Sequence, residues 1–150
     1  MSVEKQIEEY FRKNKGRGIK VLRQWDDLLF FSGHGPEDEV TGEPFRTGRV
    51  GEKVSPEEGY QAARMCGVIF LGALQEYLGT LDRVDQVVKA FGLVSSAPDF
   101  YGQEEVMDGF SDLMVEVFGD RGVHARSVMG TSNLPFEIPV EIEIIVKIRS

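Results

Sequence analysis

The chain has 150 residues, 41% of them hydrophobic and 28% charged, with a formal net charge of −8. This is the make-up of one soluble globular domain, long enough to bury a proper core. The acidic balance argues against a nucleic-acid partner, no apolar run approaches a membrane span, and the single cysteine, Cys66, excludes an internal disulfide.

The first eighteen residues, MSVEKQIEEYFRKNKGRG, are charged and lack the apolar core of a secretory signal. With the lone cysteine, they point to a reducing, cytoplasmic setting. Val3, Ile7, Tyr10 and Phe11 fall on one side of a predicted helix over Val3 to Lys15, an accessory segment (residues 1–18) packed on the domain. A first strand is expected over Ile19 to Arg23 and a turn at Asp26-Asp27. A second strand follows over Leu28 to Ser32, whose continuous apolar run reads as buried on both faces. Ser32-Gly33-His34-Gly35-Pro36 ends that strand in a loop whose glycines allow close backbone approach to a ligand. Glu37 to Val54 reads as a long polar excursion with a short hairpin.

Ser55-Pro56-Glu57-Glu58 is a helix start with N-cap, first-turn proline and capping box, and the helix should run to Leu78 with Gly79 past its end. A long central strand is expected within Asp82 to Ser96, then a second helix over Gln103 to Phe118 with Gly119 as its stop. Two strands close the chain. One covers Ala125 to Thr131. The other covers Pro139 to Ile148, where Val140, Ile142, Ile144, Val146 and Ile148 alternate with Glu141, Glu143 and Lys147, and Ile145 is the exception.

The order β-β-α-β-α-β-β predicts an α+β domain: one mixed sheet with both helices on one face. The other sheet face then needs a cover, which argues for self-association. If the two closing strands are adjacent and antiparallel, Arg126 stands beside a strand glutamate on one face, and that pair suits a small acid. Plainer readings stand beside this one. Arg126 is also a natural structural ion-pair partner, Glu141 and Glu143 a solvated strand face, and Ser32-Gly33 a strand-ending turn. Cys66 in an apolar stripe reads as a small hydrophobe, and His124 as structural. His34, nearer the proposed site, is a candidate ligand contact. No Cys/His cluster has metal spacing.

Taken together, LLFFSGHGP, GRVGEKVSPEEGYQAARMC, LGTLDRVDQVVKAFGLVSSAPDF, SDLMVEVFG and HARSVMGTSNLPFEIPVEIEIIVKI resemble the RidA/YjgF family of imine/enamine deaminases, in its longer subgroup. They span Leu28 to Ile148. The resemblance implies a chorismate-mutase-like fold and a homotrimer with clefts between subunits. It also implies cofactor-free hydrolysis of imines such as 2-aminoacrylate to a 2-keto acid and ammonia. Within it, Arg126 of the A-R-S context binds the substrate carboxylate, Glu141 of the E-I-E context places or activates water, and Ser32 and Gly33 supply backbone contacts. Two features depart from the pattern. The family's N-terminal G-P-Y tyrosine has no match, and the position two residues after the arginine holds Val128 instead of cysteine. A member that binds a small carboxylate or amino acid without turnover is the competing reading. Ribonuclease activity, a third, is opposed by the acidic charge.

Overall fold

The computed structural model describes residues 21–37 and 43–150. The helix expected over Val3 to Lys15, and the first residues of the strand expected from Ile19, lie outside the described residues. The elements are β1 (Leu22–Trp25), β2 (Leu28–Phe31), α1 (Pro56–Leu78), β3 (Val84–Ser95), α2 (Gln103–Phe118), β4 (Ala125–Thr131) and β5 (Val140–Ile148). They form a mixed α+β domain with one five-stranded sheet in the order β1-β2-β5-β3-β4.

Local chemistry accounts for the boundaries. Ser55 Oγ accepts from the Glu58 N–H at 3.1 Å, and the Ser55 N–H donates to Glu58 Oε1 at 3.2 Å, so two of the orphan donors at the start of α1 are satisfied. Gly79 closes α1 in the left-handed region at φ 82. Asp26 takes φ 51 in the two-residue turn between β1 and β2, a conformation that aspartate tolerates. The helix α2 carries the chain back along the sheet, so β4 lies parallel to β3. The strand β5 then returns antiparallel and fills the gap between β2 and β3.

The alternation in β5 sets the core. Val140, Ile142, Ile144, Val146 and Ile148 are all buried, facing the two helices together with Leu29, Phe31, Val87, Ala90 and Val94. Phe70 of α1 sits between Phe31 and Phe110 in edge-to-face contacts at 5.4 and 6.2 Å. The expectation that β2 is buried on both faces needs correction: Phe30 is 41% exposed. Its neighbours Leu29 and Phe31 alone turn to the helices. Leu28 and Phe30 share the opposite face with Ile145, Phe91 and Leu93, so the unbroken apolar run marks a strand with an apolar outer face.

The two helices touch backbone to backbone. A Cβ at Gly109 of α2 would lie 2.0 Å from the Tyr60 carbonyl oxygen of α1, and one at Gly67 would lie 2.8 Å from Leu113 Cδ2. Gly109→Ala should therefore destabilise the fold by about 3 kcal/mol, because the overlap outweighs the roughly 1 kcal/mol of helix propensity that alanine adds. In a thermal melt this is a drop of roughly 10 °C. A variant melting as high as the parent would mean that the helices separate without cost.

Candidate functional site

Apart from His34, the sequence-predicted site residues fall into two groups on opposite faces of the sheet. The first group surrounds Glu141. On β5, Glu141 is paired with Leu93 and points away from the helices, half-buried. A Cβ at Gly33 would come within 3.1 Å of Glu141 Cδ, so the carboxyl lies against the backbone of the loop after β2, and a side chain there would have to displace it by a few tenths of an ångström. Burial, and then the like charge of Glu143, raise the pKa of Glu141 above the usual carboxylate range. A raised carboxylate is a stronger proton acceptor. Ser32 stands exposed at the start of the same loop, its N–H donating to the Val21 carbonyl at 2.9 Å.

The second group surrounds Arg126. It pairs with Ala90 on β3, which pairs in turn with Ile144, so its side chain lies on the helix face at the edge of the sheet. The side chain is only 14% exposed. One guanidinium nitrogen donates to Asp108 Oδ1 at 2.9 Å and to Ser111 Oγ at 3.0 Å. The other donates to Glu104 Oε2 at 2.8 Å and to the Glu104 carbonyl at 3.4 Å. Planar fork geometry and partial burial make this a fixed anchor. Sequence reasoning missed Glu104, Asp108 and Ser111. Their spacing of four and three residues places them on one side of α2, and that regularity was open to view.

His124, just before β4, completes this group. Its Nδ1 lies 2.7 Å from the Gly122 carbonyl and its Nε2 lies 2.9 Å from Ser111 Oγ. The ring packs edge-on against Phe110 at 5.5 Å.

His34 belongs to neither group. The loop re-enters the sheet here: the His34 N–H donates to the Ile142 carbonyl and the Ile142 N–H to the His34 carbonyl, at 2.8 and 3.0 Å. That pairing turns the imidazole under the helices, 3% exposed and 5.4 Å from the Phe70 ring. The expected ligand contact is thus a core side chain. Cys66 is buried too, its thiol facing the His34 carbonyl at 3.6 Å, and burial pushes its pKa well up.

The expectation that Arg126 and Glu141 share one face of two adjacent strands is overturned. β3 runs between β4 and β5. Two strand spacings across and three residues along put the two Cα atoms roughly 14 Å apart, with side chains on opposite faces. Within one chain they cannot hold the same small molecule. Among the described residues no group of three or more His, Cys, Asp or Glu side chains is placed to hold a metal ion. No described helix is long and apolar enough to cross a membrane.

Residues 27–146 match the family model described as "YjgF/chorismate mutase-like, putative endoribonuclease". The chain is 40% identical over 123 residues to Protein TCP17 of Trypanosoma cruzi, covering 81% of this chain and 76% of that one. It is similar to Atu1372 of Agrobacterium tumefaciens, a crystal structure of unknown function: 33% identity, TM-score 0.82, 97% of this chain and 91% of that one. It also shares its fold with YyfA of Yersinia pestis, of the Rid protein family, at 21% identity and TM-score 0.61, over 87% of this chain and 88% of that one.

Proposed function

Because the chain belongs to the YjgF/chorismate mutase-like family, we propose that it hydrolyses short-lived imines or enamines of the 2-aminoacrylate type to a 2-keto acid and ammonia. The observation that carries this reading is the division of the site. A buffered cation anchor, Arg126, lies at the edge strand, and a carboxyl of raised pKa, Glu141, lies over Gly33 on the other face. A second copy of the chain, set against the β4 edge, brings its own Glu141, Gly33 and Ser32 opposite Arg126. The cleft is then intersubunit, and a closed ring of three copies gives three such clefts.

In that cleft Arg126 takes the substrate carboxylate through two parallel N–H donors. Glu104 is the contact most easily displaced, since its side chain is 74% exposed. The iminium carbon is already electrophilic, so the protein has to hold the acid, place a water and move protons. Glu141 accepts a hydrogen bond from the water and aims its oxygen at the imine carbon. Water adds to carbon, the carbinolamine nitrogen gains a proton, the C–N bond breaks, and the keto acid and ammonia leave. Nothing in these steps calls on a metal or organic cofactor. The formal charge of −8 favours a small ligand over RNA.

The test is release of keto acid from 2-aminoacrylate generated in place from serine. Wild type should accelerate it, and Arg126→Ala should lower kcat/KM about 100-fold, roughly 3 kcal/mol of lost charge-assisted hydrogen bonding. If wild type accelerates none of several amino-acid-derived imines, the deaminase reading fails. The competing reading, carboxylate binding without turnover, then predicts that small carboxylates raise the melting temperature of wild type and leave Arg126→Ala unmoved.

A further inference from the structure

The hydrogen bonds beside Arg126 run in one direction. The Gly122 carbonyl can only accept, so His124 Nδ1, 2.7 Å away, carries the proton. In the neutral ring Nε2 is then a lone pair, and the Ser111 hydroxyl 2.9 Å away donates to it. Ser111 Oγ in turn accepts from Arg126 at 3.0 Å. A hydroxyl whose proton points at an oriented imidazole is the pairing that moves protons in acyl-transfer enzymes. Here the hydroxyl oxygen is also 3.0 Å from one nitrogen of the Arg126 guanidinium, whose other nitrogen, released by Glu104, would take the substrate carboxylate. The imine carbon and nitrogen of a 2-imino acid lie one and two bonds beyond that carboxylate, within reach of Ser111.

We propose that Ser111 and His124 form a proton relay in this cleft, with Ser111 the catalytic group that touches water and substrate and His124 the site that stores the proton. The proposal rests on the imine-hydrolysis reading and adds the groups that handle its protons. The substrate reacts as the iminium, and in the addition step water gives a proton to Ser111 Oγ as Ser111 gives its own to His124 Nε2. The remaining hydroxide oxygen bonds to the imine carbon, and the C=N electron pair goes to nitrogen. In the second step His124 returns the proton through Ser111 to the carbinolamine nitrogen. The C–N bond then breaks with its electron pair leaving on ammonia, and the carbinolamine hydroxyl proton passes through the relay to that ammonia, leaving C=O and a neutral His124. Iminium plus water becomes keto acid plus ammonium, and no oxidant or further reactant is needed. Glu141 keeps the water aimed throughout.

Two further observations fit this role. The ring is held by the edge of Phe110 and half-buried, so its orientation is fixed. Burial, with a smaller contribution from the nearby Arg126 cation, lowers its pKa against the opposing hydrogen bond to Gly122, so the accepting, neutral form prevails at neutral pH. The plainer alternative is a brace: Ser111 and His124 only tie α2 to β4 and hold Arg126 straight.

Steady-state kinetics on in-place 2-aminoacrylate separate the two. Ser111→Ala should lower kcat about 100-fold with KM within about threefold, and Ser111→Thr, which keeps a hydroxyl, should retain most of it. His124→Ala should lose a similar factor and regain at least about tenfold in kcat with added imidazole. The double variant should be no slower than Ser111→Ala, and imidazole should not help it. A kcat for Ser111→Ala within threefold of wild type overturns the relay while leaving the deaminase reading standing. So does a loss confined to KM without imidazole rescue, which is the signature of the brace. A wild type inactive on every imine overturns both. Thermal melts of each variant, with Ser111→Thr as the conservative control, separate loss of fold from loss of relay.

Discussion

Equal amounts of Arg126→Ala and Glu141→Gln chains, co-expressed so that they assemble together, should recover about a quarter of wild-type turnover, although each chain alone has lost most of it. The reason is geometric. Arg126 and Glu141 lie on opposite faces with β3 between β4 and β5. In the proposed cleft each active centre takes its arginine from one copy and its glutamate from the next. In a random mixture half the arginine sides are intact and half the glutamate sides are intact, so about a quarter of the clefts hold both. The fraction is the same for any closed ring. A single-chain site would give no recovery, because every chain carries one defect. Mixtures made from separately purified, preassembled variants should stay inactive until the subunits exchange. Turnover near zero after verified co-assembly would reject the intersubunit cleft.

Acid should cost this protein about 3 kcal/mol through His34 alone. Burial lowers the His34 pKa from 6.5 to about 4. Between those values the unfolded chain binds a proton that the native chain refuses, so stability rises with pH across that window. The contribution is fully present above pH 6.5 and is lost as the pH falls towards 4. A displacement of about 2.5 pH units corresponds to about 3 kcal/mol. Urea unfolding at pH 7.5 and pH 4.5 should show wild type losing about 2–3 kcal/mol more than His34→Gln. The variant carries every other titrating group, including Asp85 and Glu58, whose pKa values are lowered by their own partners. Equal losses in the two proteins would mean that the unfolded and native states protonate His34 alike.

The same histidine shows where sequence reading stops. The SGHGP loop signalled a break after β2, and that break is real. What the residues did not announce is the return to the sheet at His34 and Ile142, which turns the ring into the core. The helices were legible almost to the residue, because their signals are local: the Ser55–Glu58 box, Gly79, and the apolar stripe ending at Gly119. The alternation of β5 was legible for the same reason. The neighbours of each strand were less so. The face taken by Arg126 follows from parity: Val128, two residues on, packs on the core, so Arg126 must share the helix side with it. Reading Arg126 against Glu141 ignored that rule. The brace from Glu104, Asp108 and Ser111 was overlooked because α2 was read only for its apolar stripe, and its polar side is what meets β4.

β5 occupies the middle of the sheet, yet it comes after both of its sheet neighbours, β2 and β3, in chain order. Until it emerges, the β1–β2 hairpin and the β3–α2–β4 unit are separate pieces, each with a raw strand edge and an uncovered apolar flank. A ribosome making this chain therefore holds an unfinished sheet until Val140–Ile148 has been made. Closure waits for a segment more than a hundred residues away from β2 in the sequence, a long-range event that favours slow folding and a role for holding chaperones. Chains truncated before Val140 should be open to proteases from β1 through β4, and resistance should arrive in a single step once β5 is included.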